Sequence, residues 1–380
     1  MFSAVSACMR ARKYPPRRLL ALPLVLLSLL PLPLPAAAAP AAPGVLTAFS
    51  GGGIYLSPDG THLGGGGNTT RPYLGRAATT LLPYRTGIVN GFVDGPVYYS
   101  PSVGQLAGGN GAALVYGGTQ QVLAMASFQG GVLTAFSGGG IYFSPDATTA
   151  LVGFARPYLG EPVTAMVAYH GGVITGFQSG AIYFSPDGQN LHGGGNSVLV
   201  YGGNQQVMAM TVFQGGVLTA FSGGGIYFSP DGTNLGGGGN TTRPYLGDIA
   251  RALLAYQCGV FTQFLGGQIY FSPDGQNLAG GGDTSVAYGG TQWVQAWTTT
   301  GPQPTGLVSV PNLSGLSQQD ALTQLRTSTL RIGQTAFEFP SGPPPYLPAQ
   351  VVVQSRQPGT LVPACSSVDI TLQPQSVPGH

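Results

Sequence analysis

Three arginines are the first candidates for chemistry in a chain where only 7% of residues are charged. Arg71, Arg156 and Arg243 each open the phrase Arg-Pro-Tyr-Leu-Gly, which sets Tyr73, Tyr158 and Tyr245 two residues downstream. A guanidinium beside an aromatic ring can hold a sugar, a carboxylate or a phosphate, because its planar fork donates paired hydrogen bonds and its face stacks. Used this way, the three would form equivalent sites. The competing reading has each arginine covering a neighbouring structural unit. A second recurrent group is Asp59, Asp146, Asp187, Asp231 and Asp274. All stand at the same kind of turn, which predicts local hydrogen bonding at separate places rather than convergence. Calcium binding by Asp187, Asn190 and Asn196 is the alternative.

Signatures of catalysis are missing. There is no Gly-x-Ser-x-Gly elbow and no His-Glu-x-x-His. Glycine runs such as Gly64–Gly67 lack the Lys-Ser/Thr of a phosphate loop. Glu161 and Glu338 are the only glutamates, so a glycosidase carboxylate pair would have to draw on aspartates. His62, His170, His192 and His380 are scattered, with no zinc-ligand spacing. The sequence is therefore read as that of a non-enzyme, with no catalytic residues, no metal and no cofactor.

Charge is divided sharply along the chain. Arg10, Arg12, Lys13, Arg17 and Arg18 fall at the start, ahead of an apolar run to Leu34 and the small residues Ala37-Ala38-Ala39. Residues 1–43 thus read as a cleavable export signal, with a retained anchor as the alternative. Beyond it remain nine arginines and no lysine, against 12 acidic residues. Such a body argues against nucleic acid, which needs clustered cations. No other segment is apolar for long enough to span a bilayer. Cys8 leaves with the signal. Cys258 and Cys365 remain, and Cys258 replaces the glycine found at Gly130, Gly171 and Gly215 of sister repeats. In an oxidising compartment these two form a candidate inter-domain disulfide.

The elements that would carry these residues come from a repeat. An aromatic phrase closed by Ser-Pro recurs six times, beginning at Ile54, Val97, Ile141, Ile182, Ile226 and Ile269, with spacings of 43, 44, 41, 44 and 43 residues. Residues 45–75 and 217–247 differ only at Leu56/Phe228 and His62/Asn234. In residues 163–203 the punctuation predicts four strands: Val163–Tyr169, Val173–Phe177, Ile182–Ser185 and Val198–Tyr201. Four short strands in about 43 residues fit one propeller blade. The first unit begins at Val45 without a first strand, and an extra strand, Gln292–Trp297, follows the last unit. Together they predict a six-bladed β-propeller closed by that strand, which removes exposed sheet edges. A three-fold β-prism or trefoil is the rival. Odd units carry Arg-Pro-Tyr and even units carry Tyr-Gly-Gly (Tyr116, Tyr201, Tyr288), so the ring would have pseudo-three-fold symmetry. The Ser-Pro-Asp-Gly phrase resembles WD40-like repeats of the TolB type, and the blade pattern is similar to tectonin-type lectin propellers.

Residues 299–307 form a Pro/Gly linker, after which the period stops. Ser317 through Asp320 read as a helix cap, Ala321, Leu322 and Leu325 as one helix face, and Val351–Ser355 and Val368–Leu372 as strands. Phe339–Tyr346 reads as a Pro-rich loop. The run Val310-Pro311-Asn312-Leu313-Ser314-Gly315-Leu316, then Gln354-Ser355, Pro358-Gly359-Thr360-Leu361-Val362-Pro363 and Val368-Asp369-Ile370-Thr371-Leu372 resembles a PASTA domain over residues 308–373, with a tail at 374–380. Cys365 stands where that family usually has glycine. The resemblance implies a small α+β domain, a bacterial source, and peptidoglycan or another cell-surface glycan as partner. The whole is then mainly β: a propeller at 44–298 displaying a binding surface to a glycan or protein, and a PASTA-like module contacting the wall. Localisation would be extracellular or cell-wall-associated. A multivalent lectin and a wall-associated propeller hydrolase or lyase are the alternatives.

Overall fold

The computed structural model describes residues 44–64, 69–70, 75–104, 106, 111–156, 160–237, 241–243, 247–280, 284–301, 307–338 and 346–376. The expected export signal and the last four residues lie outside these.

The body is mainly β. Its first strands are β1 (Val45–Phe49), β2 (Ile54–Ser57) and β3 (Thr69–Thr70). Five antiparallel four-stranded sheets follow. The second holds β4 (Ala78–Tyr84), β5 (Gly87–Phe92), β6 (Val97–Ser100) and β7 (Ala113–Tyr116). The third holds β8 (Val122–Phe128), β9 (Gly131–Phe136), β10 (Ile141–Ser144) and β11 (Phe154–Arg156). The fourth holds β12 (Val163–Tyr169), β13 (Gly172–Phe177), β14 (Ile182–Ser185) and β15 (Val198–Tyr201). The fifth holds β16 (Val207–Phe213), β17 (Gly216–Phe221), β18 (Ile226–Ser229) and β19 (Thr241–Thr242). The sixth holds β20 (Ala250–Tyr256), β21 (Gly259–Phe264), β22 (Ile269–Ser272) and β23 (Ser285–Tyr288). Last in the repeat body is β24 (Val294–Thr299), which pairs antiparallel with β1, Val45 opposite Thr299, and supplies the first sheet's missing inner strand. The closing strand therefore lies two residues later than the sequence suggests. Gln292 and Trp293 belong to the preceding loop, where the Trp293 amide donates to Ser50 Oγ.

Burial grades across each sheet. The second strand is buried at every residue, as in Gly131–Phe136 and Gly172–Phe177, because a neighbouring sheet covers each of its faces. That is why those strands read as continuous apolar runs. Outer strands such as Val198–Tyr201 are half exposed.

The Ser-Pro-Asp-Gly turn joins one sheet to the previous one. Gly232 lies at φ +67°, and a Cβ there would collide with the Tyr169 ring of the fourth sheet. Gly60 repeats this at φ +71°, with a Cβ 2.6 Å from the Tyr256 ring of the sixth sheet. Glycine is required twice over, for the left-handed backbone and for the close approach. The Tyr-Gly-Gly phrase has a matching role. Tyr116 packs at a tilt against Phe136 and Tyr201 against Phe221, with centroids 4.7 and 4.8 Å apart, and Tyr288 meets Phe49 of the first sheet at 4.8 Å.

The C-terminal unit adds β25 (Leu307–Ser309), α1 (Gln318–Thr327), β26 (Arg331–Phe337), β27 (Tyr346–Gln354), β28 (Leu361–Pro363) and β29 (Ser367–Ser376). β25 pairs with β28, and β29 lies between β26, which is parallel to it, and antiparallel β27. Ser317 caps α1: the Asp320 amide donates to its Oγ at 3.1 Å. Ala321 and Leu325 are buried, and half-buried Leu322 packs beside them. Leu307 pairs within this unit and Thr299 within the body, so the connecting segment is shorter than 299–307.

Candidate functional site

Of the six arginine and tyrosine candidates, Arg156 and Arg243 are described, whereas Arg71, Tyr73, Tyr158 and Tyr245 lie outside the described residues. Arg243 is buried, 4% exposed. Its guanidinium sits over Phe228, 5.0 Å from the centroid, and its Nη1 donates to Gln276 in the sixth sheet. Half-buried Arg156 sits over Phe143 at 5.1 Å. Burial pulls both guanidinium pKa values down, opposed by Asp274 beside Arg243 and by Asp187 beside Arg156. Arg243 thus bridges the fifth sheet to the turn of the sixth, an inter-sheet clamp, whereas Arg156 packs on Phe143 of its own sheet.

The recurrent aspartates cap their own turns. Their Oδ1 atoms accept from the amide two residues on: Thr61 at 3.0 Å, Thr148 at 3.0 Å, Gln189 at 2.9 Å, Thr233 at 3.0 Å and Gln276 at 2.7 Å. Asp187 also accepts from Asn196, so two of the three side chains considered for calcium hydrogen-bond to each other. Asp187 and Asp231 are held below the usual carboxylate range, first by the Gln189 and Thr233 amides. At Asp146 the first cause is the Thr148 hydroxyl, and Arg85, 3.4 Å away, contributes less.

All six inner strands carry a β-bulge at the same place. The register skips Thr79, Leu123, Thr164, Met208, Arg251 and Gln295. A bulge frees a side chain from the pleat and re-aims it. These six side chains line one cavity of about 190 Å³. Below them come Thr80 and a set of alanines, then Leu81, Met125, Met166, Met210, Leu253 and Trp297. Arg251 is the one charged residue in that lining. Its guanidinium stands 4.6 Å from the Trp293 centroid, and the Trp293 side chain is 42% exposed. A groove of about 350 Å³ shares Leu123, Thr164 and Met208 with this cavity and adds Ser137, Gln178 and Gln206. The sequence reading missed this set because no single residue type recurs at the bulge.

The other end of β20 meets the C-terminal unit. Cys258 is paired with Cys365 as a disulfide, with Cα atoms 5.0 Å apart. Cys365 has φ +67°, the conformation a glycine would take. Around the bond Leu322, Leu330 and Ile332 face Phe271 and Pro273, and Arg326 sits over Phe271 at 5.3 Å. Beside this contact Thr284, Ser285, Gln318, Gln319 and Arg326 line a cleft of about 400 Å³.

Among the described residues no helix is long and apolar enough to cross a membrane. No curated protein matches the chain. Solved structures similar to it include a nidogen/laminin complex, at 11% identity over 69% of this chain and 100% of that one, TM-score 0.50. They also include the Pan2 WD40 domain of Neurospora crassa (12%, 70% and 82%, TM-score 0.41) and YCF48 from Cyanidioschyzon merolae (13%, 73% and 89%, TM-score 0.42). Residues 308–374 match the PASTA domain family, so the β-repeat body is followed by a PASTA domain.

Proposed function

We propose that this chain is an exported, wall-facing binding or scaffold protein rather than an enzyme. Its six sheets form one closed, pseudo-three-fold β-propeller, and its PASTA domain contacts peptidoglycan or another cell-surface glycan. Closure is supported by junctions that recur where sequence neighbours are lost. The Leu151 amide donates to Val115 O and the Leu235 amide to Val200 O, each from an odd sheet to the even sheet before it. The Leu63 amide donates in the same way to Ala287 O, from the first sheet to the sixth. The tilted Tyr288–Phe49 ring pair and the Gly60–Tyr256 contact bridge that same junction.

The functional reading is carried by the PASTA match at residues 308–374. The domain is fixed to the sixth sheet by Cys258–Cys365, so the wall-contacting module and the propeller face are held in one orientation. Residues 1–43 would direct export and be removed, leaving no membrane span. Sedimentation with purified peptidoglycan tests the reading by comparing the mature chain with residues 44–300 alone. The mature chain is expected in the pellet and the shorter one in the supernatant. Equal binding by the two would remove the tethering role of the C-terminal domain.

A further inference from the structure

The geometry points to a carboxylate-binding site at the cavity mouth, with Arg251 as its anion anchor and Trp293 as the ring that supports it. It extends the binding reading to the repeat body, at the end of β20 away from the PASTA domain.

Three observations carry it. The first is position. Arg251 is the bulged residue of β20, so the register releases its side chain toward the cavity shared by all six inner strands. The second is electrostatic. Among the described residues the ion pairs are Arg76–Asp94 and Arg85–Asp146, and neither involves Arg251. No carboxylate or imidazole shares the lining of this open cavity, so no neighbouring charge there opposes the pull of this cation on an incoming anion. The third is preorganisation. The guanidinium rests 4.6 Å from the Trp293 centroid, which fixes its plane while leaving its edge donors free for a bidentate contact.

The surroundings define the rest of the ligand. Gln295 stands at the next bulge, and Gln178, Gln206, Ser137 and Thr164 offer neutral amides and hydroxyls along the adjoining groove. Leu123 and Met208 supply apolar contact between them. A small polar molecule ending in a carboxylate fits this combination. A phosphate, with two charges to neutralise, meets only one cation. An acidic sugar and a peptide C-terminus share the required chemistry.

Trp293 and Trp297 are the only tryptophans in the chain; Trp297 lines the cavity and Trp293 lies under Arg251, so their fluorescence reads the site. The mature full-length protein would be titrated with glucuronate, glucose, acetyl-dialanine and the amide of acetyl-dialanine. Saturable quenching is expected with a carboxylate and not with its neutral counterpart. Response to glucuronate assigns the saccharide source, and response to acetyl-dialanine the peptide source. Arg251→Met keeps the apolar stem and is expected to weaken that binding about ten- to hundredfold, whereas Arg85→Met, at the opposite end of its strand, leaves it unchanged. Should Arg251→Met fail to fold, Trp293→Leu removes the support instead, and calorimetry then replaces fluorescence. Equal response to acid and neutral probes, no response to either carboxylate, or full binding by a folded Arg251→Met protein would each overturn the proposal. A carboxylate that fails here while peptidoglycan still sediments the chain refutes this site alone and leaves the PASTA reading standing.

Discussion

Replacing Cys365 by glycine should change stability in opposite directions under oxidising and reducing conditions. The disulfide joins residues 107 apart in sequence. In the chain-entropy account, closing a loop of that length stabilises the folded state by about 5 kcal/mol at 25 °C. Against this, Cys365 holds φ +67°, a conformation that costs a side-chain-bearing residue roughly 1–2 kcal/mol and glycine almost nothing. Cys365→Gly removes both terms. The oxidised parent should exceed the variant by about 3–4 kcal/mol. After reduction the order should invert, with the variant ahead by about 1 kcal/mol or more. Cys365→Ala is the control, since it loses the bond and keeps the backbone strain. Urea unfolding followed by circular dichroism, with and without dithiothreitol, measures all three. A glycine variant no more stable than the alanine variant would refute the strain argument, and an unchanged parent after verified reduction would refute the loop argument.

Gly232→Ala and Gly60→Ala should each lower stability by about 2–3 kcal/mol in thermal unfolding, because each places a Cβ into a tyrosine ring at positive φ. Equal losses are expected of a closed ring, and a mild Gly60 effect would argue for an open stack. Arg243→Met should cost roughly 2–4 kcal/mol, since it leaves the Gln276 side chain unpaired and removes the cation over Phe228; an unchanged melting temperature would contradict the clamp. Burial first, and then the charge of Asp59, push the Tyr256 hydroxyl from 10.0 to about 12. Its neutral form is the one favoured by folding. That stabilisation is therefore complete below pH 10 and is lost as pH rises from 10 toward 12, by roughly 3 kcal/mol before allowance for solvent screening. Tyr256→Phe should flatten that part of the pH–stability curve.

Much of the fold could be read from recurrence. The aromatic Ser-Pro phrase fell on the third strand of every sheet, and the missing strand before Val45 led to β24. The register of β24 was displaced because Gln292 and Trp293 look strand-like but serve the loop facing Gly51 and Ser50. In the PASTA domain β26 went unread. It is parallel to β29, and Arg331–Phe337 lacks the clean alternation of a half-buried strand. The arginine phrases were visible, yet their role depends on which sheet the side chain reaches, which no local pattern encodes. Arg251 was hidden for the opposite reason. Its neighbours in space are bulged residues that share a register and no common chemistry.

That contrast bears on stoichiometry. Even sheets pack a tyrosine on the next odd sheet, while Arg243 reaches from an odd sheet to the next even one. Two kinds of junction must alternate, so the smallest unit that can tile the body is a pair of sheets, and three pairs make six. Any site built from the tiling residues would occur three times. Arg251 does not belong to that set, because the equivalent bulges of the second and fourth sheets carry Thr79 and Thr164, whose hydroxyls donate to backbone carbonyls. A carboxylate held by Arg251 should therefore bind once per chain. Calorimetric titration separates the cases: a ratio near one fits the bulge residue, and a ratio near three would return the ligand to the arginine–tyrosine phrases.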